Sequence, residues 1–195
     1  MSHHSVNLNP VRRFSYLDFC NIGISGAQVS AARCGLAQSA KAAAEAHISD
    51  STFRLNFRAI REFAVGKHSN DGSRAVCVGS SRVGSDLAIW QMARNAGWLT
   101  ETPRRAFSGR EKAVDTLLTV KILEDILLSG VAPQNVEITI FSGDRDLLPA
   151  VQCLQRLGHR VCVASWAHSA ADELRQTADQ FIALDDYFQL IRYLH

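Results

Sequence analysis

Short apolar runs, each followed by a stretch of helical periodicity, recur along nearly the whole chain, and this alternation limits the fold more than any other feature. The runs at 14–19, 74–78, 98–102, 136–141, 161–164 and 181–184 read as strands, that at 161–164 continuously apolar, that at 74–78 buried, and that at 136–141 alternating and rich in β-branched residues. Helical spacing follows at 27–46, with Gly23 and Gly26 marking a loop before it. A second helix is capped by Asp50 or Ser51 and carries Phe53, Phe57, Ile60 and Ala64 inward, although 53–57 also alternates like a strand. Further helices are read from a Ser85 or Asp86 cap to Gly97, then over 111–129, 147–157, 172–177 and 187–194. Pro149 fits only in a first turn, and Pro103 favours a sheet edge for the strand before it. Strands buried on both faces belong in a parallel sheet joined by right-handed crossovers. The expected fold class is therefore α/β: a mainly parallel central sheet flanked by helices on both faces, a Rossmann-like three-layer sandwich.

With 195 residues the chain is long enough for one domain with a substantial core. Residues 1–10 read as a flexible leader and 11–195 as a single domain. Hydrophobic residues at 47% and charged residues at 21% exclude wholesale disorder, and no apolar run reaches membrane-spanning length. No membrane partner is expected. The five cysteines show no C-x-x-C spacing, which points to free thiols in a cytoplasmic protein.

Chemistry concentrates in Phe141-Ser142-Gly143-Asp144-Arg145-Asp146, where the central strand hands over to a helix. Ligands of open α/β sheets bind at such carboxyl ends. Either aspartate could merely cap the helix. Other carboxylates converge, however: Asp18 ends the first strand and Asp115 lies in the first turn of the 111–129 helix. Four carboxylates on one rim call for hard divalent cations, Mg²⁺ or Mn²⁺, held by Asp18, Asp115, Asp144 and Asp146. Directly before Asp115, the residues Arg104, Arg105, Arg110 and Lys112 gather around Gly109, with Phe107 among them as a stacking candidate. An acidic rim beside a basic loop suits phosphate esters. A solvated surface turn is the plainer reading of that loop. The histidines lack zinc spacing, and G-x-S-x-G is absent.

Four blocks then resemble one family, the NYN domain of the PIN-like nuclease superfamily, in its bacterial LabA-like branch. They are Leu17-Asp18-Phe19-Cys20-Asn21, Glu111-Lys112-Ala113-Val114-Asp115, the S-G-D-x-D turn at 142–146, and Glu173-Leu174 with Ala178-Asp179 and 181–184. The resemblance implies a PIN-like fold and a metal-dependent endoribonuclease that acts on RNA, single-stranded RNA being favoured, and leaves 5′-phosphate and 3′-hydroxyl ends. It makes Asp18, Asp115, Asp144 and Asp146 the metal-holding acids. Lys112 would steady charge on the transferring phosphate, and Asn21 and Ser142 would orient ligands or water. Arg104, Arg105, Phe107, Arg110 and Lys112 would bind the nucleic acid. A catalytically silent NYN fold that binds RNA or a regulatory partner is the alternative. A phosphatase or receiver-like domain with an aspartate nucleophile is a third reading, disfavoured by Asp18 and Asn21 three apart and by Lys112 before Asp115. Homodimerisation is left open.

Overall fold

The computed structural model describes residues 11–67, 72–80, 87–102 and 112–193. The leader at 1–10 and the cap candidates Ser85 and Asp86 lie outside them. Six strands form one sheet: β1 (Arg12–Asp18), β2 (Arg74–Val78), β3 (Leu99–Glu101), β4 (Val136–Phe141), β5 (Arg160–Ser165) and β6 (Gln180–Ala183). Their order is β3-β2-β1-β4-β5-β6, and every neighbouring pair is parallel. The chain builds outward from β1 to β3, returns to lay β4 on the other side of β1, and builds outward again. Its direction thus reverses between β1 and β4. Leu17 pairs with Phe141, so Asp18 and Ser142 leave the sheet side by side.

The helices are α1 (Phe19–Arg33), α2 (Ala40–Glu45), α3 (Phe57–Val65), α4 (Leu87–Asn95), α5 (Lys112–Leu128), α6 (Leu148–Arg156), α7 (Asp172–Thr177) and α8 (Phe188–Ile191). Leu17, Phe141 and Ala164 on one sheet face pack with Ile22 of α1, Ile60 of α3, Trp90 of α4 and Phe188 of α8. Tyr16, Ile140 and Val163 on the other pack with Leu118 and Ile122 of α5, Val151 of α6 and Leu174 of α7. Both faces are covered, which is why β2 and β5 read as buried apolar runs, and the three-layer α/β expectation holds. None of the helices among the described residues is long and apolar enough to cross a membrane. All five cysteines are free thiols, of which Cys77 is buried.

Four expectations about helices need correction. Gly23 and Gly26 do not break the chain into a loop: α1 starts at Phe19 and runs through both. A Cβ on Gly26 would stand 2.6 Å from Phe53 Cε1 and 3.0 Å from Trp166 Cζ2, so this glycine admits two aromatic rings against the helix. The expected helix over 27–46 instead divides, because Gly35 (φ 76°) turns the chain and Ser39 caps the short α2. The third helix starts six residues later than expected at Phe57, capped by Asn56, whose side chain accepts from Ala59 N at 3.1 Å. Asp50 instead anchors the preceding turn, accepting from Ser30 Oγ at 2.6 Å and Thr52 N at 2.8 Å. Residues 54–56 stay extended because the C-terminal segment pairs with them: Asn56 N donates to Ile191 O (2.7 Å) and Tyr193 N to Arg54 O (2.9 Å). That same pairing ends α8 at Ile191, short of the helix expected over 187–194, whose first turn is a 3₁₀ segment at Leu184–Tyr187.

Trp166, fully buried, leaves β5 and donates its indole N–H to Ile22 O of α1 at 2.8 Å. Trp166→Phe keeps most of the ring contact with Phe53 and Phe188 and deletes that bond. Urea unfolding should show a loss of about 1 kcal/mol.

Candidate active site

The reversal of strand order between β1 and β4 makes their carboxyl ends the switch point of the sheet, the place where open α/β sheets bind ligands. Asp18 sits on one side of it. Its backbone is still extended (φ −77°, ψ 96°), and its side chain caps α1, Oδ1 accepting from Asn21 N at 3.0 Å. Oδ2 accepts from Ser142 Oγ at 3.0 Å. Asp18 is thus at once a helix cap and a buried acid, only 2% exposed. Burial pushes its pKa up to about 7; the bonds from Asn21 and Ser142 oppose the rise, and the charges of Asp115 and Asp144 add to it.

The turn after β4 is tied at every step. Ser142 Oγ, while donating to Asp18, accepts from Asp144 N at 3.2 Å. Gly143 N donates to Asn21 Oδ1 at 2.9 Å, and Gly143 O accepts from Ala171 N at 2.9 Å just before α7. Asp144 Oδ1 accepts from Asp146 N at 2.9 Å and so caps the 3₁₀ turn Arg145–Leu147, from which α6 continues with Pro149 in its first turn. The capping role weighed for Asp144 is real, and it coexists with a place beside Asp18. Arg145 pairs with Glu173 of α7 at 3.2 Å, both exposed enough for the pair to contribute little.

Asp115, half-buried in the first turn of α5, joins Asp18 and Asp144 as the third member of the acidic group, its charge acting on Asp18. Asp146 is exposed on the 3₁₀ turn. Asn21 and Ser142 lie between the acids as positioning residues: one clamps the β4 turn to α1, the other bridges Asp18 to Asp144 N. Lys112 opens α5, but its side chain, with Arg104, Arg105, Phe107 and Arg110, lies outside the described residues. The family resemblance pointed to Asn21 and Ser142. The tight seat of Gly143 was not anticipated: a Cβ there would stand 2.7 Å from Ser165 Oγ and from Ser169 O.

Among the described residues no three His, Cys, Asp or Glu side chains form a ready-made metal cage. The donor set nonetheless suits a hard divalent cation. Asp18 carries hydrogen bonds on both oxygens yet is still held near a pKa of 7 by burial and by two like charges. A divalent cation would relieve that repulsion; magnesium usually binds one or two carboxylates directly and keeps waters and substrate phosphate oxygens, so the remaining acid would act through water.

The family model described as the NYN domain matches residues 36–185, a span that contains Asp115, Ser142, Asp144 and Asp146 but begins after Asp18 and Asn21. A crystal structure of a protein of unknown function from Vibrio parahaemolyticus has the same fold, with a TM-score of 0.63, 15% identity, and 96% of this chain and 99% of that one covered. No curated protein matches the chain. With the family match running over most of its length and through the turn that follows β4, the chain belongs to the NYN domain family of the PIN-like superfamily.

Proposed function

We propose that the chain is a metal-dependent ribonuclease that hydrolyses phosphodiester bonds of single-stranded RNA, with Mg²⁺ or Mn²⁺ held by Asp18, Asp115 and Asp144. The observation that carries this reading is the buried Asp18, raised to a pKa of about 7 beside two more carboxylates at the switch point of the sheet. NYN domains are generally nucleases, which agrees with it. A divalent ion bound there supplies positive charge to the scissile phosphate and favours deprotonation of an attacking water. The chain's own groups set the stage. Ser142 Oγ and Asn21 N fix both oxygens of Asp18, and the Asn21 side chain holds the turn that carries Asp144 against α1. Asp146, exposed on the 3₁₀ turn, would hold outer waters. Lys112 and the basic residues Arg104, Arg105 and Arg110, with Phe107, are proposed to receive the RNA strand. The four sequence blocks support a place in the LabA-like branch, and the free thiols support a cytoplasmic location.

Cleavage of a mixed single-stranded RNA by the purified protein is the test. Cutting should require Mn²⁺ or Mg²⁺, stop in EDTA, leave 5′-phosphates, and vanish in Asp144→Asn. Wild-type protein that binds RNA but cuts no more than the variant would make it a silent binding module instead.

A further inference from the structure

A hollow of about 550 Å³ opens next to the acidic group, between the first turns of α1, the extended segment before α3, and α4. We infer that it receives one unstacked nucleobase of the RNA strand whose backbone crosses the acidic rim, an inference that rests on the nuclease reading above.

Its position is the first argument. Phe19 and Cys20, which line it, directly follow Asp18 in the turn that Asp18 caps. Ser80, on the same wall, lies just beyond β2, the neighbour of β1, and its Oγ is 3.5 Å from Cys20 Sγ. Two of the lining residues thus directly follow Asp18 in the chain, which sets the hollow beside a strand whose phosphate lies at Asp18.

The walls supply the second argument. Phe19 stacks on Phe57 (centroids 5.7 Å apart, 26° between planes) and the buried Phe53 on Phe188 (6.0 Å, 21°), so the walls present apolar ring edges, held rigid by these stacks, against which a base would pack. The volume falls within the range of small-ligand pockets, roughly 300–1,000 Å³. Arg54, exposed on the lip, is held by Ser51 O (2.7 Å) and Phe53 O (2.8 Å), a fixed cation suited to a nucleotide phosphate. Asp50, the lining carboxylate, has both oxygens engaged by Ser30 and Thr52.

Gly23 supplies the third. Glycine is a poor helix former, yet this one sits inside α1 where packing does not demand it. A Cβ there would meet Phe19 Cε2 at 3.8 Å and Leu55 Cδ1 at 3.9 Å, both ordinary contacts, in contrast to the crowding at Gly26. What the missing side chain does is keep the hollow open.

The experiment measures anisotropy of a short fluorescent single-stranded RNA in EDTA, with intact RNA and with a single abasic nucleotide walked along it. Gly23→Leu should bind the intact strand about tenfold more weakly, the size of one lost base-stacking contact, with a thermal midpoint no lower than wild type. One abasic position should cause the same loss in wild type and almost none further in Gly23→Leu. Met92→Glu, at an exposed lining position, should also weaken binding and serves if the first variant fails to fold. Wild-type affinity in both variants, full additivity of the abasic and Gly23→Leu losses, or no RNA binding by wild type would each overturn the inference. Gly23-dependent binding by a protein that cuts no RNA in Mn²⁺ would uphold the base site and sink the nuclease reading. Equal KM for cutting by wild type and Gly23→Leu would sink the base site alone.

Discussion

Asp18→Asn should abolish metal-dependent RNA cleavage and at the same time make the metal-free protein more stable at neutral pH. The two effects share one cause. In the unfolded chain this carboxyl titrates near 3.8, whereas in the fold burial raises it to about 7. The folded state binds the proton more tightly, so the contribution of Asp18 to stability is fully present below pH 4 and is lost as pH rises toward 7. The gap corresponds to roughly 4 kcal/mol by the conversion of one pKa unit to 1.36 kcal/mol. An asparagine has no charge to desolvate, though its single oxygen can keep only the bond from Asn21 N while its amide NH2 faces Ser142 Oγ as a donor, so a net gain on the order of 2–3 kcal/mol is expected. Urea unfolding in EDTA at pH 4.5 and 7.5 reads this: wild type should weaken between the two, and the variant should weaken much less. Mg²⁺ should then raise the thermal midpoint of wild type and leave the variant unmoved, since an ion that binds only the folded state stabilises it by mass action. Equal pH slopes for the two proteins would show that Asp18 is not the strained acid inferred here.

The order of strands and helices was legible because each element carried its own signal. β2 and β5 are short apolar runs that need burial on both faces, β4 alternates and is rich in β-branched residues, and α5 and α7 run almost as their periodicity and bounding residues suggested. The pairing of β1 with β4 could be anticipated only through the α/β pattern, yet it decides the site, because it sets Asp18 beside Ser142 across more than a hundred residues of chain. The misread stretches are those where distant partners overrule local preference. Gly26 looks like a breaker until Phe53 and Trp166 are seen against it. Residues 54–56 look helical until the chain's last turn pairs with them. At the site, residue types disclosed the acids. The raised pKa of Asp18 and the clamp from Asn21 to Gly143 arise from burial and close approach, which have no local signature.

Gly143→Ala should disable the site by a purely steric route. The added methyl would lie 2.7 Å from Ser165 Oγ, 2.7 Å from Ser169 O and 2.9 Å from Ala170 Cα. The hydroxyl can rotate away, but the other two are backbone atoms of the segment leading into α7. Nor can the turn step aside. Gly143 N is bonded to Asn21 Oδ1 and Gly143 O to Ala171 N, so relief of the clash breaks one of these bonds. Overpacking of this kind costs about 1–3 kcal/mol, and loss of a tied hydrogen bond adds to it, so a loss of about 3 kcal/mol in urea unfolding is expected. Function should suffer more than stability, because Ser142 and Asp144, on either side of the shifted residue, are the groups that meet Asp18. Moving them away re-solvates that carboxyl and lowers its pKa from about 7 toward the ordinary carboxylate range. Titration of Asp18 by carboxyl carbon NMR in wild type and variant would read the shift directly, beside the RNA cleavage assay. A variant that keeps wild-type stability, cleavage and titration would mean that the turn has room to spare, and that the close seat of Gly143 does not hold the acids together.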